Sequence, residues 1–302
     1  MNNKRRLFST VLCVAALTAG LFVSGCGSDK AGGIGSVVSS VVDGGSGEKA
    51  AAKLNTLIDA TNRFNSDNAS FAQFQAEGLA KLKGGFAEGA IANQPHFDRL
   101  QADLEKAKKE GSTFKEVDAE RDNVLNILNE LVPVYKDLTA YDDSKAYMND
   151  GGAKGKELAA KYVAAVEKFD AAYAKFNETL NKVNAEQSKK QIEKLKKDGK
   201  KGYAAAMEST LRLTTLVENV EKAPKNADKQ AVEKELNEIQ TLLKSINNDR
   251  GEVLVNSYNS VVGSVRQVLT DANENNLNDM IENFNNYIES YNNTTPDQFD
   301  SK

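Results

Sequence analysis

The chain reads as an all-α protein, an antiparallel bundle of long amphipathic helices preceded by a cleaved lipoprotein signal and a flexible tether. Three observations predict this. From about residue 48 apolar residues recur every three or four positions, the period of one helix face. Alternation of period two is not sustained in that stretch. The 302 residues include only 4 prolines, far below the roughly 5% of average usage, which leaves room for long uninterrupted elements.

The first segment, residues 1–25, is an export signal. Lys4, Arg5 and Arg6 form a positive start, and Leu7 to Val23 is an apolar run broken only by small residues. Seventeen residues fall short of the roughly 20 that a membrane span needs. Val23-Ser24-Gly25-Cys26 then matches a lipobox, in which small residues admit the peptidase and the cysteine thiol takes the diacylglycerol. Cleavage before Cys26 leaves 277 residues, and loss of three basic charges takes the formal charge from −4 to −7. Cys13 departs with the signal and Cys26 is alkylated, so the mature protein has no free thiol for catalysis or a disulfide. Gly27 is not the aspartate that commonly retains lipoproteins in an inner membrane, which favours the outer membrane in a host that has one.

Residues 26–47 are the lipidated cysteine and its tether. Of residues 27–47, seven are Gly and five Ser, and a flexible chain of that length reaches roughly 25 Å r.m.s.. No later segment is long and apolar enough to span a bilayer.

The helical-bundle domain is expected over 48–293, followed by a polar tail at 294–302. Leu54, Leu57, Ile58, Thr61 and Phe64 share one face of its first helix. Phe71, Phe74, Leu79 and Leu82 mark the buried face of a second, which stops at Gly84-Gly85. Pro95 suits the first turn of a third, with Phe97, Leu100, Leu104 and Ala107, and Gly111 suits its C-terminal cap. Thr113 and Glu116 fit a capping box for a fourth, running from Val117 to Leu138, in which Pro133 should kink or end the helix. A polar loop from Tyr141 to Gly152 precedes the longest segment, about 153–197, roughly 67 Å if unbroken. Asp198-Gly199 and Gly202 mark a turn. Further stripes follow at Met207–Val220, ending before Pro224, at Val232–Ile246 capped by Asp228, at Leu254–Leu269, and at Leu277–Tyr291. Single-stripe helices must bury that stripe against one another, hence the bundle.

Several of these residues carry a resemblance. The lipobox, the opening Lys53-Leu54-Asn55-Thr56-Leu57-Ile58-Asp59 helix, Tyr147-Met148-Asn149-Asp150, the Lys156-Glu157-Leu158 to Phe176-Asn177 helix and the closing Tyr-Asn-rich helices resemble the YiiG-like family of uncharacterised bacterial lipoproteins. The resemblance would cover most of residues 48–293. It implies a helical envelope lipoprotein and brings no catalytic residues.

Composition excludes much chemistry. Two cysteines rule out a disulfide scaffold, an iron–sulfur cluster and a Cys-rich zinc site, and 1 histidine rules out any centre needing two, including the bundle di-iron site. A mildly acidic chain is a poor nucleic-acid partner. His96 is the single imidazole base; no G-x-S-x-G elbow accompanies it, and a surface histidine near a helix start is the plainer reading. Gly151-Gly152-Ala153-Lys154-Gly155-Lys156-Glu157 imitates a phosphate loop but is one residue short, and Glu157 stands where Ser or Thr must hold magnesium. Asp142, Asp143, Asn149 and Asp150 form an acidic loop without EF-hand spacing, so solvated turn acids are expected rather than calcium ligands. Nine asparagines lie within 273–293; with Phe284, Tyr287 and Tyr291 they would line a saccharide-binding face or, more simply, the polar outside of a core helix.

The strongest local charge is basic. Lys182, Lys189, Lys190, Lys194, Lys196, Lys197, Lys200 and Lys201 stand against Glu186, Glu193 and Asp198, a balance of +5 near the end of the long helix. Lys189, Lys190, Lys194, Lys196, Lys197, Lys200 and Lys201 are candidates for contact with anionic headgroups or an anionic envelope polymer, against the alternative of a solvated helix end. The sequence therefore leads to a non-enzymatic, lipid-anchored envelope protein that binds or scaffolds an envelope partner. It predicts no cofactor, no metal, no nucleic acid, and a membrane contact through Cys26. The alternative is a small-ligand or glycan-binding lipoprotein with a cleft in the bundle.

Overall fold

Helices are the regular elements of the described residues, and no strand occurs among them. The computed structural model describes residues 47–300 apart from 70, 93, 112 and 113. The signal, Cys26 and most of the tether segment lie outside these. In chain order the helices are α1 (Gly47–Ala69), α2 (Ala72–Lys83), α3 (Phe97–Lys109), α4 (Lys115–Asp143), a short α5 (Tyr147–Asp150), α6 (Ala153–Lys197) and α7 (Lys201–Lys222). A 3-10 turn at Pro224–Asn226 leads to α8 (Lys229–Lys244), α9 (Asp249–Thr270), α10 (Glu274–Asn292) and a short α11 (Pro296–Phe299). They group into two compact units, Lys53–Val183 and Asn184–Lys302, with α6 contributing residues to both.

In the first unit, side-chain pairs fix the helix directions. Thr56 pairs with Glu110, Arg63 with Asp103 and Asp67 with Arg99, so α1 and α3 run antiparallel. Gln101 with Asn129 and Lys108 with Asp122 set α3 antiparallel to α4. Glu120 with Lys175 and Tyr135 against Tyr162 do the same for α4 and α6. The apolar stripe of α1 foreseen in the sequence is buried as a set, and its Phe64 packs edge-on against Phe169 and Tyr173 of α6. Phe97 joins them from α3, 5.0 Å from Phe169.

Four local expectations are corrected. Phe71 and Phe74 are 46% and 57% exposed. The buried register of α2 is instead Gln75, Gly78, Leu79 and Leu82, fixed by Gly78, where a Cβ would lie 2.3 Å from the Ala90 carbonyl oxygen. Phe74 sits one residue, about 100°, off that face. Of the two outcomes expected at Pro133, the ending does not occur: α4 continues through it to Asp143, because Leu128, Leu131 and Val132 before it and Leu138 and Tyr141 after it are all buried. That packing offsets the one backbone bond proline removes. Pro95 lies before α3 rather than in its first turn, and His96 is the N-cap. Phe114, not Thr113, is the N-cap of α4, so the capping-box register does not apply; Thr113 lies outside the described residues.

In the second unit, Arg212 on α7 makes a bidentate pair with Glu235 on α8. Glu233 with Arg266 and Gln240 with Asn259 set α8 antiparallel to α9. α9 packs on α10, which returns to α7, where the buried Tyr287 hydroxyl and Thr210 Oγ1 lie 3.0 Å apart. Asp228 and Asn248 cap α8 and α9 as oxygens accepting from two backbone N–H groups each. Gly111 and Gly199 take the left-handed conformation expected at their turns.

The last residues are packed as well. Phe299 is 2% exposed and stacks between Tyr203 and Tyr291, both at 5.9 Å. Asp300 accepts from the Gly202 and Tyr203 N–H groups, and Asn248 donates to the carbonyls of Gln298 and Phe299. Residues 294–300 thus form a clasp over the start of α7.

Candidate functional site

The basic end of α6 is the candidate the sequence singled out, and the structure divides its lysines into two sets. Lys196 is engaged, with Glu208 on α7 at 2.8 Å and Glu193 at 3.5 Å. The Glu208 carboxylate beside it raises its pKa above the ordinary lysine value, so its charge is held but already neutralised. Lys200 meets Asp297 of the clasp at 3.2 Å. Lys189, Lys190, Lys194, Lys197 and Lys201 make no ion pair among the described residues. Lys189, Lys190, Lys197 and Lys201 are exposed and Lys194 is half-buried.

Their placement follows from the helix. Ser188, Ile192 and Leu195 are the buried positions of this last stretch of α6. Lys190, Lys194 and Lys197 fall at i, i+4 and i+7, one stripe on the side away from that core. Lys201, also exposed, opens α7 just beyond the Asp198-Gly199 turn and so lies at the same tip. Lys189 and Glu193 lie on the flank of the stripe, and Asp198 is in the turn.

The other sequence candidates resolve into structural roles. His96 is exposed at the N-cap of α3. Gly151 and Gly152 make a left-handed turn into α6, and Gly155 faces the Phe86 and Tyr141 rings, where a Cβ would lie 2.6 and 2.5 Å away. The acidic loop is occupied by its own chain: Asp150 accepts from the Tyr141 hydroxyl and from the Gly152 and Lys154 N–H groups, and Asp142 accepts from the Gly89 N–H. No group of three or more His, Cys, Asp or Glu among the described residues is arranged to hold a metal. In the Asn-rich segment, Phe284, Tyr287 and Tyr291 are buried core residues of α10 rather than a binding face.

Sequence reasoning missed three half-buried acids. Burial pushes Asp170 up to about 7, with Glu167 adding to the shift and Lys83 opposing it. Burial likewise pushes Glu221 up to about 7, aided by the neighbouring Glu218. Asp59 rises to about 6 for the same reason, against the pull of Arg63. The signal was there: Asp170 lies four residues after Val166 and three before Tyr173, inside a stripe read only for its apolar members. Asp59 and Arg63 line a shallow polar depression of about 210 Å³ with Thr56, Asp103 and Glu110. A second depression of about 330 Å³ lies between the end of α2 and α6, crossed by the Lys83–Glu167 pair at 2.8 Å.

Fold and site together define an all-helical protein with a basic patch at the α6–α7 turn, in which no described helix is long and apolar enough to cross a membrane. It belongs to the protein family of unknown function DUF3829, whose model matches residues 48–293. No curated protein and no solved structure matches the chain.

Proposed function

We propose that the chain is a lipid-anchored envelope protein, allied to the YiiG-like lipoproteins, whose helical body is a non-catalytic binding or scaffolding module. The observation that carries this is the run of basic start, 17-residue apolar stretch and Val23-Ser24-Gly25-Cys26 in one N-terminal segment. A basic start and short apolar core direct export, and small residues before a cysteine suit lipid transfer to its thiol. The side chains that chemistry would recruit are used in packing and capping: Asp150 and Asp142 hold backbone N–H groups, and Tyr287 pairs with Thr210 in the core.

The test is lipidation in cells. Wild-type protein should incorporate labelled fatty acid and fractionate with membranes, and Cys26→Ser should do neither. Incorporation by the Cys26→Ser protein at the wild-type level would overturn the proposal.

A further inference from the structure

We infer that Lys190, Lys194 and Lys197 on the last turns of α6, with Lys201 at the start of α7, are a second membrane contact, docking on anionic lipid headgroups. The inference rests on the anchored reading above only for which surface lies nearby; its chemistry is separate.

Four observations on this part of the molecule support it. The stripe is directional: i, i+4 and i+7 positions turn three ammonium groups to one side, and Lys201 adds a fourth at the tip. These lysines are not spent on the protein, since Glu193 and Glu208 are taken by Lys196 and Asp297 by Lys200. Within 189–201 five lysines make no ion pair, against Asp198 and the one carboxylate left over where Glu193 and Glu208 share Lys196, an excess of three positive charges. Lastly, the formal charge of the whole chain is −4, so attraction to a negative surface has to come from such a local patch and would orient the protein. A planar array of phosphates complements a row of flexible ammonium groups, because lysine acts as a point charge and needs no fixed geometry. Headgroup attraction amounts to roughly a fivefold gain in partition per engaged lysine and fades within a Debye length.

The occupant argued for is a bilayer, not a soluble polyanion. The 21 residue steps from Cys26 to Gly47 span at most about 76 Å when extended, so an anchored body stays within reach of its own membrane. The patch is also narrow, a single helix end, which suits a surface met once rather than a polymer wrapped along a groove.

The experiment uses the full chain carrying Cys26→Ser, so that no acyl chain contributes, in flotation with vesicles. Equimolar phosphatidylglycerol and phosphatidylcholine are compared with phosphatidylcholine alone, at low and at high salt. The export signal, residues 1–25, is common to all samples, so the readout is the anionic-over-neutral preference of each variant. The quadruple variant Lys190→Glu, Lys194→Glu, Lys197→Glu, Lys201→Glu should lose that preference at least tenfold with unchanged helix content. Lys196 and Lys200 are left intact to spare their ion pairs. A control with the same charge change at exposed lysines elsewhere, Lys136→Glu, Lys168→Glu, Lys225→Glu, Lys229→Glu, should keep it. High salt should erase the difference between quadruple variant and parent. An unchanged preference in the quadruple variant, an equal loss in the control, or binding to polyglutamate but not to anionic vesicles would each overturn the inference. Failure of fatty-acid labelling at Cys26 would refute the anchor while leaving these vesicle results to stand or fall by themselves.

Discussion

Replacing Gly202 by alanine tests whether the C-terminal clasp is a packed part of the second unit. Gly202 lies in the first turn of α7, where its backbone is ordinary helix and alanine brings no strain of its own. The obstacle is external: an added Cβ would lie 2.0 Å from the Phe299 carbonyl oxygen and 2.8 Å from its carbon. Ordinary contact begins near 3.4 Å, so the carbonyl must retreat by about 1.4 Å. That carbonyl also accepts from Asn248 at 3.1 Å, and the next residue, Asp300, accepts from the Gly202 N–H at 2.6 Å. Retreat therefore loosens both bonds and the seat of the Phe299 ring. Overpacking of this kind costs about 1–3 kcal/mol. Gly263 supplies the contrast, since a Cβ there meets nothing within 4 Å in the middle of α9. Alanine at that position should stabilise by up to about 1 kcal/mol through helix propensity. At roughly 2–4 °C per kcal/mol for a chain of this size, the gap of about 1–4 kcal/mol should separate the two melting points by roughly 2–16 °C, on opposite sides of the parent, by calorimetry. In a chain ending at Thr295 the Gly202→Ala penalty should vanish, since its cause is gone. If Gly202→Ala stabilises as Gly263→Ala does, or costs as much in the truncated chain, the clasp is not seated as described.

Two further outcomes follow from buried groups. Phe97 is fully buried among Phe64, Tyr135 and Phe169, and Phe97→Ala should destabilise the first unit by about 3–5 kcal/mol, read by denaturant titration with the slope unchanged. Asp170 and Glu221 keep their protons up to about pH 7 when folded, above the usual carboxylate range. Between the unfolded value and about 7 the folded chain binds more protons, so stability falls as pH rises through that window and is lowest above it. Asp170→Asn with Glu221→Gln should flatten the fall in melting temperature from about pH 5 to about pH 8; an unchanged slope would show that these acids are not its source.

Helix identity was legible wherever one stripe did one job. The run 153–197 was bounded at both ends by glycine turns and emerges as α6, Ala153–Lys197, and Asp228 caps α8 through the side-chain bonds its position suggested. What escaped were places where a long-range contact outranks local pattern. Gly78 against the Ala90 carbonyl decides which face of α2 is buried, and two phenylalanines are exposed as a result. Pro133 is tolerated because the core continues on either side of it. Phe299 is one aromatic among polar neighbours in a segment read as tail, yet it closes the start of α7. The lysine run was legible as charge but not as geometry: only the pairs with Glu208 and Asp297 show which ammonium groups are already committed.

That division changes what the basic end can do. Eight lysines counted along the sequence suggest strength, but two of them hold neighbouring elements of their own unit in place: Lys196 joins α6 to α7, and Lys200 joins the turn to the clasp. The stripe that remains is one helix face wide, too narrow for tight independent binding at physiological salt, where the Debye length is about 8 Å. A weak contact becomes effective when a second attachment keeps it close, because the tethered patch then acts at high local concentration. Lipid anchors obey the same logic, since stable residence takes two signals, an acyl group together with a basic patch being one such combination. On the proposed reading Cys26 would supply residence and the lysine stripe orientation. Removing either should therefore alter a different observable, membrane fractionation for Cys26 and the anionic-over-neutral preference for the stripe.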